Sequence, residues 1–390
     1  MSTAQGLLFF LILLGVAAVG LRLLSRRTPR LPYPVLLAVG GVLIGLVPGL
    51  RLPPIGSDLI LLAFVPGLVF EASLALDLGE LRRRIVPVGL LATMGVFVTV
   101  FLVGLLTHGV LGLDWASAFL LGAIVAATDP IAVVGLLRHV GAPKGLEAIL
   151  EGESLLNDGT GVAVFAAVLG TIVAGHPSAF DAGVRFVLVT SIGALIGLAV
   201  GAAGVALVRT AREAELEILT TLVVAYGSYL AADAVHASGV VAVVAAGLLV
   251  ARYGGLPGTQ LIGFWNLLAF VLNAILFLIV GIAFPAQRLA AVAGLAAGGY
   301  AVMLFARAVP VYGILAPFRS IPWTWRHLTV WGGLRGALSV ALALSVAANP
   351  HVDPRVSVIA YGMVLLSLVV QGGLLLPVAD LLRLRARPVD

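Results

Sequence analysis

About thirteen apolar runs, each close to the length of a membrane span, follow one another along this 390-residue chain. A transmembrane helix needs roughly 20 predominantly apolar residues to cross the hydrocarbon core. The runs centre near Gly15, Val42, Val69, Phe97, Ala126, Gly159, Ile196, Tyr226, Val244, Leu272, Val302, Ala337 and Leu368. Charged residues make up 11% of the chain and hydrophobic ones 61%, against about 25% charged in a soluble domain. So few charges do not clothe a water-exposed surface, which excludes a soluble enzyme. The apolar content equally excludes disorder. With no cysteine, a disulfide scaffold, a thiolate metal site and a cysteine nucleophile are excluded as well. The first run reads as a span, because its arginine cluster follows it and no basic stretch precedes it. The expected fold is an all-α polytopic membrane protein.

The basic residues set an expected orientation. With the amino terminus outside, the inner connections hold Arg22, Arg26, Arg27 and Arg30, then Arg82, Arg83 and Arg84, then Arg138 and Lys144. Arg209, Arg212, Arg252, Arg319, Arg326, Arg383, Arg385 and Arg387 complete the set, which is 17 of the 23 basic residues. The outer connections hold Arg51, Arg185, Arg288 and Arg355. The positive-inside rule therefore expects the amino terminus outside and the carboxyl terminus in the cytoplasm. The net charge of +5 reflects this topology, and no basic patch interleaved with aromatics points to nucleic acid.

Taking segments 1–6 and 8–13 as two six-helix halves joined by segment 7, the second half enters from the opposite face. This is the arithmetic of two inverted six-helix repeats, a plan used by secondary transporters. Segments 5 and 12 occupy corresponding positions and both are interrupted, by Thr128-Asp129-Pro130 and by Gly332-Gly333-Leu334-Arg335-Gly336. Proline removes a helix hydrogen bond and glycine weakens the ladder, so both are expected to be broken helices at a binding site.

Charges at mid-bilayer are costly and mark function. Five stand out: Glu71, Asp129, Glu153, Asp158 and Arg335. Glu71 lies eleven residues before Arg82, Asp129 nine before Arg138, Asp158 fourteen after Lys144 and Arg335 nine after Arg326. At ~1.5 Å per residue these offsets are roughly 13–21 Å, about half of a ~30 Å core. Four helices bring ionisable groups to one level.

Ser154 and Asp158 are i, i+4 on segment 6 and share a face, giving a carboxylate and a hydroxyl oxygen of the kind that suits a small alkali cation. Glu153 and Asn157 form an adjacent stripe. The expectation is that Glu153 pairs with Arg335, that Asn157 ties the unwound backbone of segment 5, and that Asp158 is the sole carrier carboxylate. Proton and cation then compete for one group, which is itself an exchange mechanism. Because Asn157 does not titrate, one-for-one exchange is favoured. Glu71 and the Thr128 carbonyl add further oxygens, and Asp129 offsets amide dipoles beside the break. The alternative for Glu153 with Arg335, and for Glu71, is a structural role. Arg307 lies deep in segment 11 and is placed to reach the interface by snorkelling, its role open. Gly193, Gly197 and Gly201 allow close packing, either inside the protein or at a dimer interface. Asn266 and Asn273 on segment 10 are expected to be hydrogen-bonded internally or to line the cation path. His108, His139, His176, His236, His327 and His351 lie near segment ends without metal spacing.

The stretches FEASLALDLGELRR from Phe70, AATDPIAVVGLL from Ala126, GESLLNDGTGVAVF from Gly152 and WGGLRGALSVALAL from Trp331 resemble the monovalent cation–proton antiporters of the NhaP and sodium–proton exchanger type. The Asn157-Asp158 pair resembles the electroneutral branch. The resemblance implies thirteen helices, a homodimer, and no cofactor beyond the transported Na+ and H+. It also implies a mobile six-helix core moving against a dimerisation part. Helices 1–3 and 8–10 (approximately 1–80 and 212–285) form that dimerisation part. Helices 4–6 and 11–13 (approximately 84–176 and 288–384) form the core, and helix 7 (approximately 184–208) links them. The implied Na+ site is Asp158, Ser154, Glu71 and the Thr128 main chain, with Asn157, Asp129, Glu153 and Arg335 in support. The expected setting is the inner membrane of a prokaryote. A K+/H+ antiporter of the same fold is the alternative. A cation channel would want carbonyl or charge rings, and neither is visible.

Overall fold

The structure is a computed structural model that describes residues 3–27, 32–47, 57–129, 131–139, 141–175, 178–210, 213–255, 258–283, 286–382 and 384. Arg30, Arg51, Arg212, Arg383, Arg385, Arg387, Pro130 and His176 lie outside the described residues, as do the side chains of His139 and Arg288. Helices and their connections account for all the described residues.

Eleven of the thirteen centres fall inside helical stretches. These run from Thr3–Arg27 and Tyr33–Gly45 through Ile60–Ala75, Ile85–Leu111 and Lys144–Val173 to Ala179–Thr210, Ala214–Asp233, Gly239–Tyr253, Thr259–Ile282, Ala286–Leu315 and Arg355–Leu381. The other two fall at breaks. Ala126 lies between the half-helices Trp115–Ile124 and Ile131–His139, and Ala337 opens the second of the pair Trp323–Trp331 and Ala337–Ser345. Among the described residues, seven helices are long and apolar enough to cross a membrane by themselves. The broken helices of segments 5 and 12 are therefore present as the sequence expects.

Gly193, Gly197 and Gly201 face inward. A methyl group at Gly197 would lie 2.7 Å from the Ala242 Cα, and one at Gly201 would lie 2.8 Å from the Ala246 Cα. The stripe thus seats Ala179–Thr210 backbone-to-backbone on Gly239–Tyr253, which decides for internal packing. Between segments 3 and 4 a short helix, Leu78–Arg83, turns the chain. Its N-cap Asp77 accepts from the Gly79 and Glu80 amides at 2.9 and 3.0 Å, satisfying donors that have no intrahelical partner.

Among the described residues, two helices carry a turn of π-helix, at Leu91–Gly95 and Ser367–Gly372. Such turns redirect side chains and recur at functional sites. The second places Ser367 and Gln371 against the break in segment 12.

Candidate cation site at the crossing of two broken helices

The two breaks meet. The Asp129 amide donates to the Leu334 carbonyl at 2.8 Å, joining two stretches whose own helical ladders have stopped. A helix end leaves carbonyls unsatisfied and carries partial negative charge. Arg335 answers this at the end of Trp115–Ile124, donating from Nη1 to the Ala126 and Ala127 carbonyls at 3.2 Å each. Its backbone amide donates to the Ser367 hydroxyl at 3.0 Å, and Ser367 donates onward to Gln371 Oε1 at 2.8 Å. Gln371 Nε2 closes the loop on the Trp331 carbonyl at 2.8 Å. At the other polarity, Asp129 sits against Gly336, the N-cap of Ala337–Ser345, where a carboxylate is favoured.

Gly336 is the close approach that this arrangement needs. A Cβ there would lie 2.7 Å from the Asp129 Cγ. Gly336→Ala is expected to lower stability by about 1–3 kcal/mol, the scale of overpacking, and to slow transport. Thermal unfolding in detergent and flux in vesicles measure the two effects.

The long helix Lys144–Val173 supplies the third element. Asn157 holds Thr128 by both ends of its amide: Oδ1 accepts from the Thr128 N–H at 3.2 Å, and Nδ2 donates to Thr128 Oγ1 at 2.7 Å. One turn earlier, the Ser154 hydroxyl donates to the Thr128 carbonyl. Ser154 and Asp158 share a face, as their spacing requires, and both line a cavity of ≈ 280 Å³ with Thr128, Asp129 and Glu71. The cavity extends to Arg138 and Glu151. Half-exposed Arg138 pairs there with Glu151 and, at 3.7 Å, with Glu147. Glu153 and Arg335 are not on the cavity wall.

Glu153 does not pair with Arg335. Its two oxygens accept from the two terminal nitrogens of Arg307, Oε2 from Nη2 at 2.7 Å, and Arg307 Nη2 also donates to the Thr329 carbonyl at 3.3 Å. A planar guanidinium meets a carboxylate in this fork best when it approaches head-on. Arg307 does so from Ala286–Leu315, while Arg335 is turned to the carbonyls of the first break. Arg307 is 5% exposed and Glu153 1%, so snorkelling to the interface is excluded. Depth would have found it: Arg319 follows Arg307 by twelve residues, about 18 Å on a helix, the level of the other five charges. Each arginine thus caps the carbonyl end of one broken half-helix.

Of the two segment-10 asparagines, Asn273 lines the cavity, while Asn266 is exposed. Asn273 Oδ1 is buried without a hydrogen-bond partner among the described residues, which departs from the expected internal bond. Ser339, which its sequence context does not single out, also lines the cavity and is fully buried.

The sequence profile of the transmembrane sodium/hydrogen exchangers matches residues 11–381. The chain belongs to this family. Among its relatives in the sodium/hydrogen exchanger family, the Na+/H+ antiporter NhaG of Bacillus atrophaeus is 35% identical, the match covering 95% of this chain and 74% of the relative. The Na+/H+ antiporter NhaP of Pseudomonas aeruginosa is 35% identical, with 81% of this chain and 79% of the relative covered. The fold is that of the sodium proton antiporter MjNhaP1 from Methanocaldococcus jannaschii, with a TM-score of 0.80 at 21% identity over 96% of this chain and 99% of that one.

Proposed function

We propose that this exchanger moves one Na+ against one H+ across the membrane, with Asp158 as the shared site. The observation that carries the reading is a single cavity at the crossing of two broken helices, lined by the Asp158 carboxylate, Ser154, Thr128 and Glu71. Hard oxygen donors suit an alkali cation. A carboxylate in a membrane interior is stabilised by either a cation or a proton, so each occupant excludes the other. Membership of a family whose relatives are named Na+/H+ antiporters supports Na+ over K+ as the cation. Electroneutrality rests on the neutral Asn157, whose amide is engaged by Thr128 and carries no proton in the cycle.

The remaining parts of the reading concern motion and setting. The protein lies in the plasma membrane of a prokaryote with its amino terminus outside, and helices 1–3 and 8–10 form the fixed part of a homodimer. The six-helix core that bears Asp158 moves against them, exposing the site to each side in turn.

Purified protein in liposomes, with an imposed Na+ gradient and a pH dye inside, tests the exchange. The expected result is a cation-driven pH change that persists with the membrane voltage clamped at zero and does not respond to imposed voltage. The absence of a pH change with any alkali cation refutes the antiporter reading. A rate that follows the applied voltage refutes one-for-one exchange.

A further inference from the structure

Two oxygens on the cavity wall have nothing to bond. Asn273 Oδ1, on Thr259–Ile282, and Ser339 Oγ, near the start of the half-helix Ala337–Ser345, are both buried and without a hydrogen-bond partner among the described residues. Ser339 is 0% exposed. Both line the cavity that contains Asp158, Ser154 and Thr128. They come from elements other than the helix that carries Asp158.

A buried polar atom left without a partner is costly, and native proteins tolerate such atoms rarely. Two in one cavity is a cost that this fold carries for a reason. A serine inside a helix ordinarily bonds back to its own turn, as Ser73 does to the Val69 carbonyl at 2.7 Å. Ser339 is free of that bond and keeps its hydroxyl oxygen for the cavity. Asn157, which is not on the cavity wall, commits both ends of its amide to Thr128, so an amide beside the first break is readily satisfied by protein when structure is its task.

We propose that Asn273 and Ser339 are cation ligands, binding the transported ion directly or through water it retains. The proposal rests on the reading that Asp158 holds the cation. The Asp158, Ser154 and Thr128 oxygens cover the ion from the side of Lys144–Val173 and the first break. Asn273 and Ser339 cover it from Thr259–Ile282 and the second break. The cavity, at ≈ 280 Å³, holds several waters at ~30 Å³ each, so the ion enters without losing its whole shell. Ser339 lies three residues from Gly336, on the half-helix that Asp129 abuts, so cation binding here engages both breaks at once. Asn273 and Ser339 are then residues that set cation affinity, whereas Asp158 sets the exchange with protons.

The test is Na+-dependent thermal stabilisation of the purified full-length protein at constant ionic strength, with choline as the replacing cation. Wild type, Asp158→Asn, Asn273→Ala, Ser339→Ala and Ser339→Thr are compared. Wild type is expected to be stabilised by Na+, and Asp158→Asn to lose the effect. Asn273→Ala and Ser339→Ala are each expected to raise the Na+ concentration for half-maximal stabilisation by about three- to tenfold, the scale of one neutral polar contact. Ser339→Thr, which keeps the hydroxyl, is expected to retain the wild-type midpoint. In vesicles the alanine variants raise KM for Na+ and leave kcat near wild type.

If the Na+ midpoint of both alanine variants equals that of wild type while Asp158→Asn abolishes binding, the Asp158 site stands and this inference falls. It falls equally if Ser339→Ala only raises the melting temperature, because the hydroxyl was then an uncompensated structural cost. If Asp158→Asn retains the Na+ effect, the Asp158 reading itself is refuted, and the ligand roles drawn from it fall with it.

Discussion

Asp158→Asn yields a folded, membrane-inserted protein that no longer exchanges cations for protons. The substitution keeps the shape of the side chain and removes its charge and its proton. An asparagine oxygen still contacts a cation, but an interaction with a charged group is worth about 1.5–3 kcal/mol against about 1 for a neutral one. Weaker binding alone lowers affinity by roughly tenfold, at about 1.4 kcal/mol per decade. The larger loss is mechanistic, because an amide releases no proton when the ion arrives, so coupling vanishes whatever the residual affinity. Exchange is expected to fall to the level of protein-free liposomes. The fold is expected to hold, since Asp158 lines a cavity and its neighbour Asn157, not Asp158, ties the broken segment. Thermal unfolding and pH-dye flux on the same preparation separate the two effects. Retained exchange in this variant would overturn the single-carrier mechanism, and an unfolded one would reassign Asp158 to structure.

The fold was legible in the sequence because a bilayer leaves few options. Apolar runs of span length must be helices, and where Pro or a glycine cluster interrupts them the backbone must find other partners. That logic locates both breaks to within a few residues. Residue spacing from the inner basic markers places Asp129, Asp158 and Glu71 at one level, and all three line one cavity. The same spacing does not fix partners. Glu153 and Arg335 share a depth, and one acid and one base at the same level invite pairing. Arg307 shares that depth too, and which of two arginines faces Glu153 depends on how helices are rotated about their axes, a property that spacing within each helix does not contain. The carbonyl ends of the breaks were the competing attraction: Ala126 and Ala127 offer Arg335 two acceptors that no side-chain inventory displays. Ser339 was invisible for a related reason. A lone serine in an apolar helix ordinarily bonds its own backbone, and its orphan oxygen emerges only from the packing of five helices and the first break around the cavity.

Removing Arg307 alone destabilises the protein by about 3–5 kcal/mol, and removing Glu153 with it restores much of that loss. The pair is buried at 5% and 1% exposure, where an unpartnered charge is the dominant cost and the net worth of an intact pair is small. Arg307→Leu strands the Glu153 carboxylate without its direct partner and also frees the Thr329 carbonyl. Glu153→Leu strands the guanidinium, which retains Thr329 as an acceptor, so this variant is expected to suffer less. The double variant replaces two ions by two apolar side chains of similar bulk, a change often near neutral in buried pairs. A thermal-unfolding cycle is therefore expected to be strongly non-additive, with coupling of about 2–3 kcal/mol, at the upper end for contacting residues. The same cycle between Glu153 and Arg335 discriminates the arrangement, because Arg335 directs its donors to Ala126 and Ala127. That cycle is expected to be close to additive, with Arg335→Leu carrying a large cost of its own through loss of the cap on the first half-helix. Strong coupling of Glu153 to Arg335, with simple additivity at Arg307, would reverse the assignment. The consequence for transport follows from position. Glu153 and Arg307 lie off the cavity wall and hold Lys144–Val173 to the helix behind the second break. Weakening them is expected to loosen the core that carries Asp158, lowering the rate of exchange more than the affinity for Na+.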